Sequence, residues 1–579
     1  MTLVLAVDFT PAGRAADALH SAQQPLMAAG AVEQARHDAG WLAVALHAWR
    51  PAPAGAASPI AITGDQLVAV DGWLATGSAD ALSRERPFLT DAGRPPPDGS
   101  FAIVAAELAA RRGALLTDRC ATRPLFAAWN AERLLVAGEL KCLATAADLR
   151  GPLDSAGIAS LLLNAYYLAD RTCWRNVRAL GPATRLEFAD GRVAMSCYAP
   201  LAFDHSGAGI ASSADYAAAI ESAVAGVARR FARPVVALSG GVDSRTILAA
   251  CRRARLDLPT VTWSYASSDR AASDLAVARQ LAAAAGTRHR EHHLRHAALA
   301  DEAAELVYAS DGQVGHLGAF ADRQRLAREL GDEFDAILFG DQCYRGESAC
   351  ATPSDAVSAI GILPADARPA VALLRFLLRR DRCDTALHEY GAAIEQMLAS
   401  AGPARDPQAL HDRLYWQVRL PRLIVGPKSL WRRRIEPVSP LLAAPLLELS
   451  ARLPGPQRVH KRYLRERLAE LEPDWQALDF AGESSRVKWR DVLRQRGPFQ
   501  RFIVETLLDP LPAFDDWFDR AALEAGLARA LVERPARRGR VPLRTRVSAL
   551  FAGPLMRPPL VLSLLTIKLW LARHAGGAA

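Results

Sequence analysis

Short apolar runs bounded by turn residues dominate the first 150 positions: "LVAVDGWLA" (Leu67–Ala75), "SFAIVAAEL" (Ser100–Leu108), "GALLTDR" (Gly113–Arg119) and "RLLVAGE" (Arg133–Glu139). Runs of this length and composition predict strands, so residues 1–150 read as a sheet-rich domain. From about 210 the texture changes. Ala- and Leu-rich stretches with helical spacing are interrupted by short apolar runs, "PVVALS" (Pro234–Ser239), "TVTWSY" (Thr260–Tyr265) and "FDAILFG" (Phe334–Gly340). Strands alternating with helices predict a parallel doubly wound sheet, hence an α/β protein. Residues 151–210, containing "LGPATRLEFADGRV" (Leu180–Val193), read as a connection, and beyond about 360 the pattern is mostly helical. The late apolar run "LVLSLLTIKLWLA" (Leu560–Ala572) carries Lys568 and falls short of the ~20 residues a spanning helix needs. It predicts a packing helix and no membrane span.

Composition narrows the picture. With 579 residues, half of them hydrophobic and 23% charged, the chain is expected to be globular with two or more domains. The formal charge of +8 suits an anionic partner such as a nucleotide. The Arg-dense segment "ERPARRGRVPLRTR" (Glu533–Arg546) lacks interleaved aromatics and reads as a solvated linker, so no nucleic-acid partner is expected. Eight scattered cysteines without CxxC pairs, and a start without a basic, apolar signal pattern, predict a reduced, cytoplasmic protein without a zinc site.

The candidate chemistry sits in "VVALSGGVDSRTIL" (Val235–Leu248). Val235–Leu238 predicts a buried strand and "RTILAACRRA" a helix, leaving "SGGVDS" as the turn between them. Consecutive glycines permit positive φ and close approach of a ligand. The helix then presents unpaired N–H groups to an anion. Ser239 and Ser244 add hydroxyl donors. Asp243 would repel a phosphate unless a hard cation such as Mg²⁺ lies between. The GxxxxGK[ST] spacing of a Walker loop is absent.

"LSGGVDSR" resembles the pyrophosphate loop of the asparagine-synthetase-like ATP pyrophosphatases, which activate a carboxylate as its adenylate. "SDLAVARQLAAAAGTRHREHHL" (Ser273–Leu294) is similar to the family's helix after the second strand, and "RLPGPQRVHKRYLRERL" (Arg452–Leu468) to its segment in which a lysine precedes a Leu-Arg helix. The resemblance implies ATP and Mg²⁺ as cofactors, with Leu238, Ser239, Gly240, Gly241, Asp243, Ser244 and Gly340 in the nucleotide site. Trp263 and Ser264 fall on the adenine side, Trp263 being open to a plain core role. Lys461 falls on the catalytic lysine, and Glu436 and Pro440 on the Glu and Pro of an E-x-R-x-P element whose Arg position holds Val438. "DGWLATGSA" (Asp71–Ala79), "DGSFAIV" (Asp98–Val104), "TDRCATRPLF" (Thr117–Phe126) and "AGELKCL" (Ala137–Leu143) resemble the family's amidotransferase domain. The implied organisation is a degenerate class II amidotransferase-like domain at 1–150 (an Ntn-type αββα sandwich), a connection at 151–210, a synthetase domain with a Rossmann-like sheet at 211–495 and a helical extension at 496–579.

Two departures steer the function. A working glutaminase of this class needs a cysteine after the initiator Met, whereas here Thr2 stands there and the first cysteine is Cys120, so glutamine is not expected to supply the amine. The family's Asp-Glu metal string is replaced by "LFGDQCYRGE" (Leu338–Glu347), with Tyr344 and Arg345 at its positions. Asp341 becomes the substitute carboxylate, as a second Mg²⁺ ligand, as a base for the incoming amine, or as a turn cap. Adenylating machinery without a glutaminase resembles the ring-forming amide synthetases. Arg245 after the loop and the rewritten string look most like lasso-peptide macrolactam cyclases. That resemblance implies a precursor core peptide as substrate, a leader peptidase and a leader-binding protein as partners, and a pre-organising cavity, sought after about 360 and near "SDGQVGH" (Ser310–His316, with Asp311 and His316 as candidates). A β-lactam synthetase, an ammonia-dependent asparagine synthetase and an inactive peptide-binding scaffold are the alternatives.

Overall fold

The computed structural model describes residues 1–50, 57–75, 77–84, 98–207, 213–265, 273–344, 349–481, 489–531 and 556–574. Arg345, Glu347 and the Arg-dense segment 533–546 lie outside the described residues.

The first unit is built from β1 (Thr2–Asp8), β2 (Val32–Asp38), β3 (Leu42–Ala48), β4 (Ile60–Thr63), β5 (Gln66–Leu74), β6 (Gly99–Glu107), β7 (Arg112–Thr117), β8 (Phe126–Trp129), β9 (Arg133–Ala137), β10 (Arg178–Ala179), β11 (Thr184–Ala189) and β12 (Arg192–Cys197). They form two six-stranded antiparallel sheets, ordered β10-β8-β9-β1-β3-β2 and β12-β11-β7-β6-β5-β4. The period of two decides what each face covers. Leu3, Leu5 and Val7 of β1 point into the core between the sheets, whereas Val4 and Ala6 point outward onto α1 (Ala15–Ala28). On the far face of the second sheet, the short helix Ala79–Arg84 covers Val70, Phe101 and Ile103. The result is the expected helix–sheet–sheet–helix sandwich. Residues 151–210 are more than a connection, since they supply β10, β11 and β12 to the two sheets.

The second unit carries β13 (Pro234–Ala237), β14 (Thr260–Ser264), β15 (His289–His293), β16 (Ala336–Leu338) and β17 (Glu436–Val438), all parallel, in the order β15-β14-β13-β16-β17. Val236 and Leu338 face one layer of helices, and Val235 and Ile337 the other. The helices include α2 (Ser213–Arg230), α3 (Val242–Arg253), α4 (Asp274–Ala285), α5 (Arg323–Glu333) and α6 (Arg462–Leu471). Strand order reverses between β13 and β16, and the crevice outside the C-terminal ends of those strands is where open α/β sheets bind ligands. α7 (Pro558–His574) lies almost wholly buried between elements of both units, and its Trp570 indole N–H donates to Cys173 Sγ at 3.1 Å. Among the described residues, no helix is long and apolar enough to cross a membrane.

Candidate active site

The turn between β13 and α3 opens into that crevice. Gly241 is the N-cap of α3 and brings no side-chain cap, so the first helical N–H groups are left for a ligand. The glycines serve close approach rather than positive φ: Gly241 lies at φ −83°, and neither glycine of the turn is left-handed. The hydroxyls brace the turn. Ser244 Oγ accepts from the Ser239 N–H at 3.1 Å and donates to the Ser239 carbonyl at 3.0 Å, while Ser239 Oγ accepts from the Gly241 N–H at 3.2 Å. Across the switch point a Cβ on Gly340 would sit 2.7 Å from that of Asp243, so only glycine lets the loop after β16 close against the loop after β13.

Asp243 and Lys461 meet here, the ammonium donating to the Asp243 carboxylate. Burial pushes the Asp243 carboxyl above its ordinary value, against the pull of Lys461. Lys461 sits at φ +53° beside His460, also at φ +53°. Such non-glycine residues cost about 1–3 kcal/mol each and persist where the surroundings hold them. Asp341 follows β16 and accepts from both Lys428 and Ser439. Gln342, next in the chain, reaches Asp243 at 3.5 Å. Two hard carboxylates at one crevice, each neutralised by an ammonium, fit a divalent cation that arrives with phosphates, the rest of its shell coming from phosphate oxygens and water. Among the described residues no cluster of three or more His, Cys, Asp or Glu offers a fuller protein cage.

A strap lies over one side of the turn. The Ala481 N–H donates to the Gly240 carbonyl at 3.2 Å, and a Cβ on Gly240 would collide with that of Ala481 at 2.3 Å. Arg245 fastens the strap, donating to the Leu478 carbonyl at 3.0 Å and to that of Asp479. The guanidiniums of Arg245 and Arg465 lie 4.1 and 4.0 Å from the Phe480 ring.

Other expected site residues sit elsewhere. Glu436 is a correction: it opens β17 at the end of the strand opposite the crevice, and its carboxylate is taken by Arg123 at 2.5 Å and Arg432 at 3.8 Å. Burial would raise it, but those two guanidiniums outweigh burial and hold it below the ordinary range. Trp263, partly buried, joins an aromatic cluster with Trp431 (5.3 Å) and Phe339 (6.2 Å). Leu238 and Ser264 are buried at the ends of neighbouring strands, the Ser264 carbonyl accepting from the Leu294 N–H at 2.8 Å. Asp311 joins a buried cluster with Lys141, at 2.6 Å, and through it Glu139 and Arg433. His316 packs against Phe320, and burial pulls its imidazole down to about 4. Tyr344 is buried under the Arg458 guanidinium, which leaves it no metal role. A cavity of about 270 Å³ lies where Asp311 and Gln313 meet Trp416 and Arg422.

Sequence reasoning did not single out Asp274, Lys428 or Ser439. Asp274 accepts from the Gly240 N–H at 3.0 Å and so shapes the turn. Lys428 had one signal available: it is among only five lysines in the chain, at 141, 428, 461, 488 and 568.

The amidotransferase-like unit shows no available thiol where one would be needed. Thr2 is buried at the head of β1, and burial pushes the Cys120 thiol well above its ordinary value.

The family model described as asparagine synthase matches residues 215–531, more than half of the chain, and a glutamine amidotransferase domain model matches residues 95–199. No match to a curated protein is found. Among solved structures the chain is similar to the allosteric regulatory enzyme of purine biosynthesis, at 10% identity over 47% of this chain and 66% of that one, with a TM-score of 0.24. It is also similar to glutamine phosphoribosylpyrophosphate amidotransferase from B. subtilis complexed with ADP and GMP, at 10% identity over 50% and 65%, with a TM-score of 0.23. The chain thus covers just under two thirds of the length of either.

Proposed function

The chain belongs to the asparagine synthase family and is an ATP-dependent carbon–nitrogen ligase, and on that premise we propose that it closes a macrolactam ring in a precursor peptide, as a lasso-peptide cyclase. One observation carries the reading: Asp243 and Lys461 stand together beside an uncapped phosphate turn, while the amidotransferase-like unit has Thr2 at the nucleophile position and its first cysteine, Cys120, buried with the thiol pushed well above its ordinary value. The activated acid then needs an amine from elsewhere, and the simplest source is the same molecule.

The substrate carboxylate attacks the α-phosphorus of ATP, and pyrophosphate leaves with the electron pair into the N–H groups of the 239–244 turn. Asp243 and Asp341 would hold Mg²⁺, which would neutralise charge on the phosphates. Lys461 faces the acyl-adenylate and offsets charge gathering on its carbonyl oxygen. The peptide amine, as the free base, bonds to the acyl carbon. The bond from that carbon to the phosphate oxygen breaks, AMP leaves with the electron pair, and the amine's proton goes to water. Holding two ends of one chain together supplies about 7–11 kcal/mol of the barrier. A leader peptidase and a leader-binding protein are the partners that would deliver such a substrate.

Incubating the purified chain with Mg-ATP and the precursor peptide is expected to yield AMP, pyrophosphate and a peptide lighter by one water with a blocked N-terminus. Asp243→Ala is expected to lower that rate by at least ~100-fold. ADP in place of AMP, or an unchanged peptide mass, contradicts the reading. The description of the matched family favours a second one, asparagine synthesis from free ammonia. Conversion of aspartate and ammonium to asparagine with AMP release would decide for it.

A further inference from the structure

The two units meet over a cavity of about 340 Å³. One wall is the face of α2 that carries Ala219, Ser222, Ala223 and Gly226, spaced i, i+3, i+4 and i+7, whose small side chains leave the space open. Trp73 and Leu442 add apolar surface opposite. Lys428 and Ser439 also line it, and these are the two residues that bond Asp341, so the cavity abuts the nucleotide crevice. Arg432 stands in the same lining with its side chain only 9% exposed. Two carboxylates lie in the lining, and both are occupied. Asp98 accepts from the Gly99 and Ala444 N–H groups, and Asp118 from those of Phe101, Cys120 and Thr122. The cations are met as well, Lys428 by Asp341 and Arg432 by Glu436 and the Thr122 carbonyl, so what the cavity offers a ligand is chiefly its apolar walls.

Size bears on which ligand. The cavity is on the order of ten times the ~30 Å³ that a water occupies in the liquid. Ammonia needs no such space. A volume above ~300 Å³ with apolar walls and a few placed charges is that of a pocket for an organic molecule.

We propose that this cavity is the specificity pocket for the acid substrate: an apolar residue next to the reacting carboxyl group lodges against α2, Trp73 and Leu442, on the side of the Lys428–Asp341 and Ser439–Asp341 bonds that faces away from the nucleotide crevice. The proposal rests on the ligase reading and adds a substrate class to it, an acidic residue flanked by an apolar one.

The test uses ATP–pyrophosphate exchange, which reports adenylation alone, driven by blocked dipeptides acetyl-Xaa-Asp-amide across all side chains Xaa and by free aspartate. Apolar Xaa should be activated with kcat/KM about ten- to a hundredfold above polar Xaa and free aspartate. Ala223→Phe should erase that preference while leaving the KM for ATP unchanged. Val227→Ala, which enlarges the same wall, should shift the preference to bulkier Xaa, a gain that misfolding cannot imitate. A preference that survives Ala223→Phe and ignores Val227→Ala overturns the pocket and leaves the ligase intact. Free aspartate as the best acid overturns both the pocket and the cyclase reading. No exchange with any acid overturns the adenylation on which they rest.

Discussion

Lys461 is one of four described lysines in an arginine-dominated chain, and all four set the ammonium against a protein oxygen: Lys141 on Glu139 and Asp311, Lys428 on Asp341, Lys461 on Asp243 and Lys568 on the Asp509 carbonyl. A compact, rotatable point charge serves such places and a planar guanidinium fork does not. Lys461→Arg is therefore expected to lower kcat for amide formation by about 100-fold or more while the KM for ATP stays near its original value, measured by steady-state kinetics. His316 gives a second prediction at this scale. Burial lowers its pKa from 6.5 to about 4 in the folded chain, so protonation favours the unfolded chain. Its contribution to stability is present above 6.5 and is lost as the pH falls towards about 4. Urea unfolding of His316→Leu should lose less stability between pH 7 and pH 5 than the original chain. Lys461 was singled out in the sequence because a motif surrounds it. Lys428 was not, because its partner Asp341 arrives from 87 positions away through the fold.

Among the elements, the strap Leu478–Ala481 does most to define the turn's surroundings. It depends on Arg245, whose guanidinium grips two of its carbonyls. Arg245→Leu is expected to release the strap, speeding hydrogen exchange at the Ala481 amide and raising the KM for ATP severalfold; exchange and KM both unchanged would show that the strap is passive. The sequence marked Arg245 only as the residue after the loop, and its grip on the strap was not legible, since Phe480 and Asp479 carry no motif. Strands show the same division. β13, β14 and β16 are apolar runs because they lie inside the sheet. β15 ("HREHH") and β17 ("EPV") escaped notice because an edge strand needs only one partner, tolerates polar residues and can carry a proline such as Pro437. The misplacement of Glu436 follows from that omission: without β17 its position at the far end of the sheet could not be read.

At the scale of the whole molecule, buried charge joins the two units. Glu139 and Lys141 come from the first and Asp311 and Arg433 from the second, and the Lys141 side chain is fully buried. Removing one partner of such a group leaves uncompensated charge, so Lys141→Met is expected to cost about 3–5 kcal/mol in urea unfolding. A double variant that also carries Asp311→Asn should recover part of that loss. The two-unit organisation was legible in the change of texture near 210, whereas the sheet role of β10 to β12 and the burial of α7 between the units depend on contacts far apart in the chain. The central claim is that the turn at 239–244 holds ATP so that an acid becomes an acyl-adenylate. Labelling both oxygens of the reacting carboxyl group with ¹⁸O tests it most directly. The account predicts one labelled oxygen in the AMP released on amide formation, and label appearing in inorganic phosphate beside unlabelled ADP would contradict it.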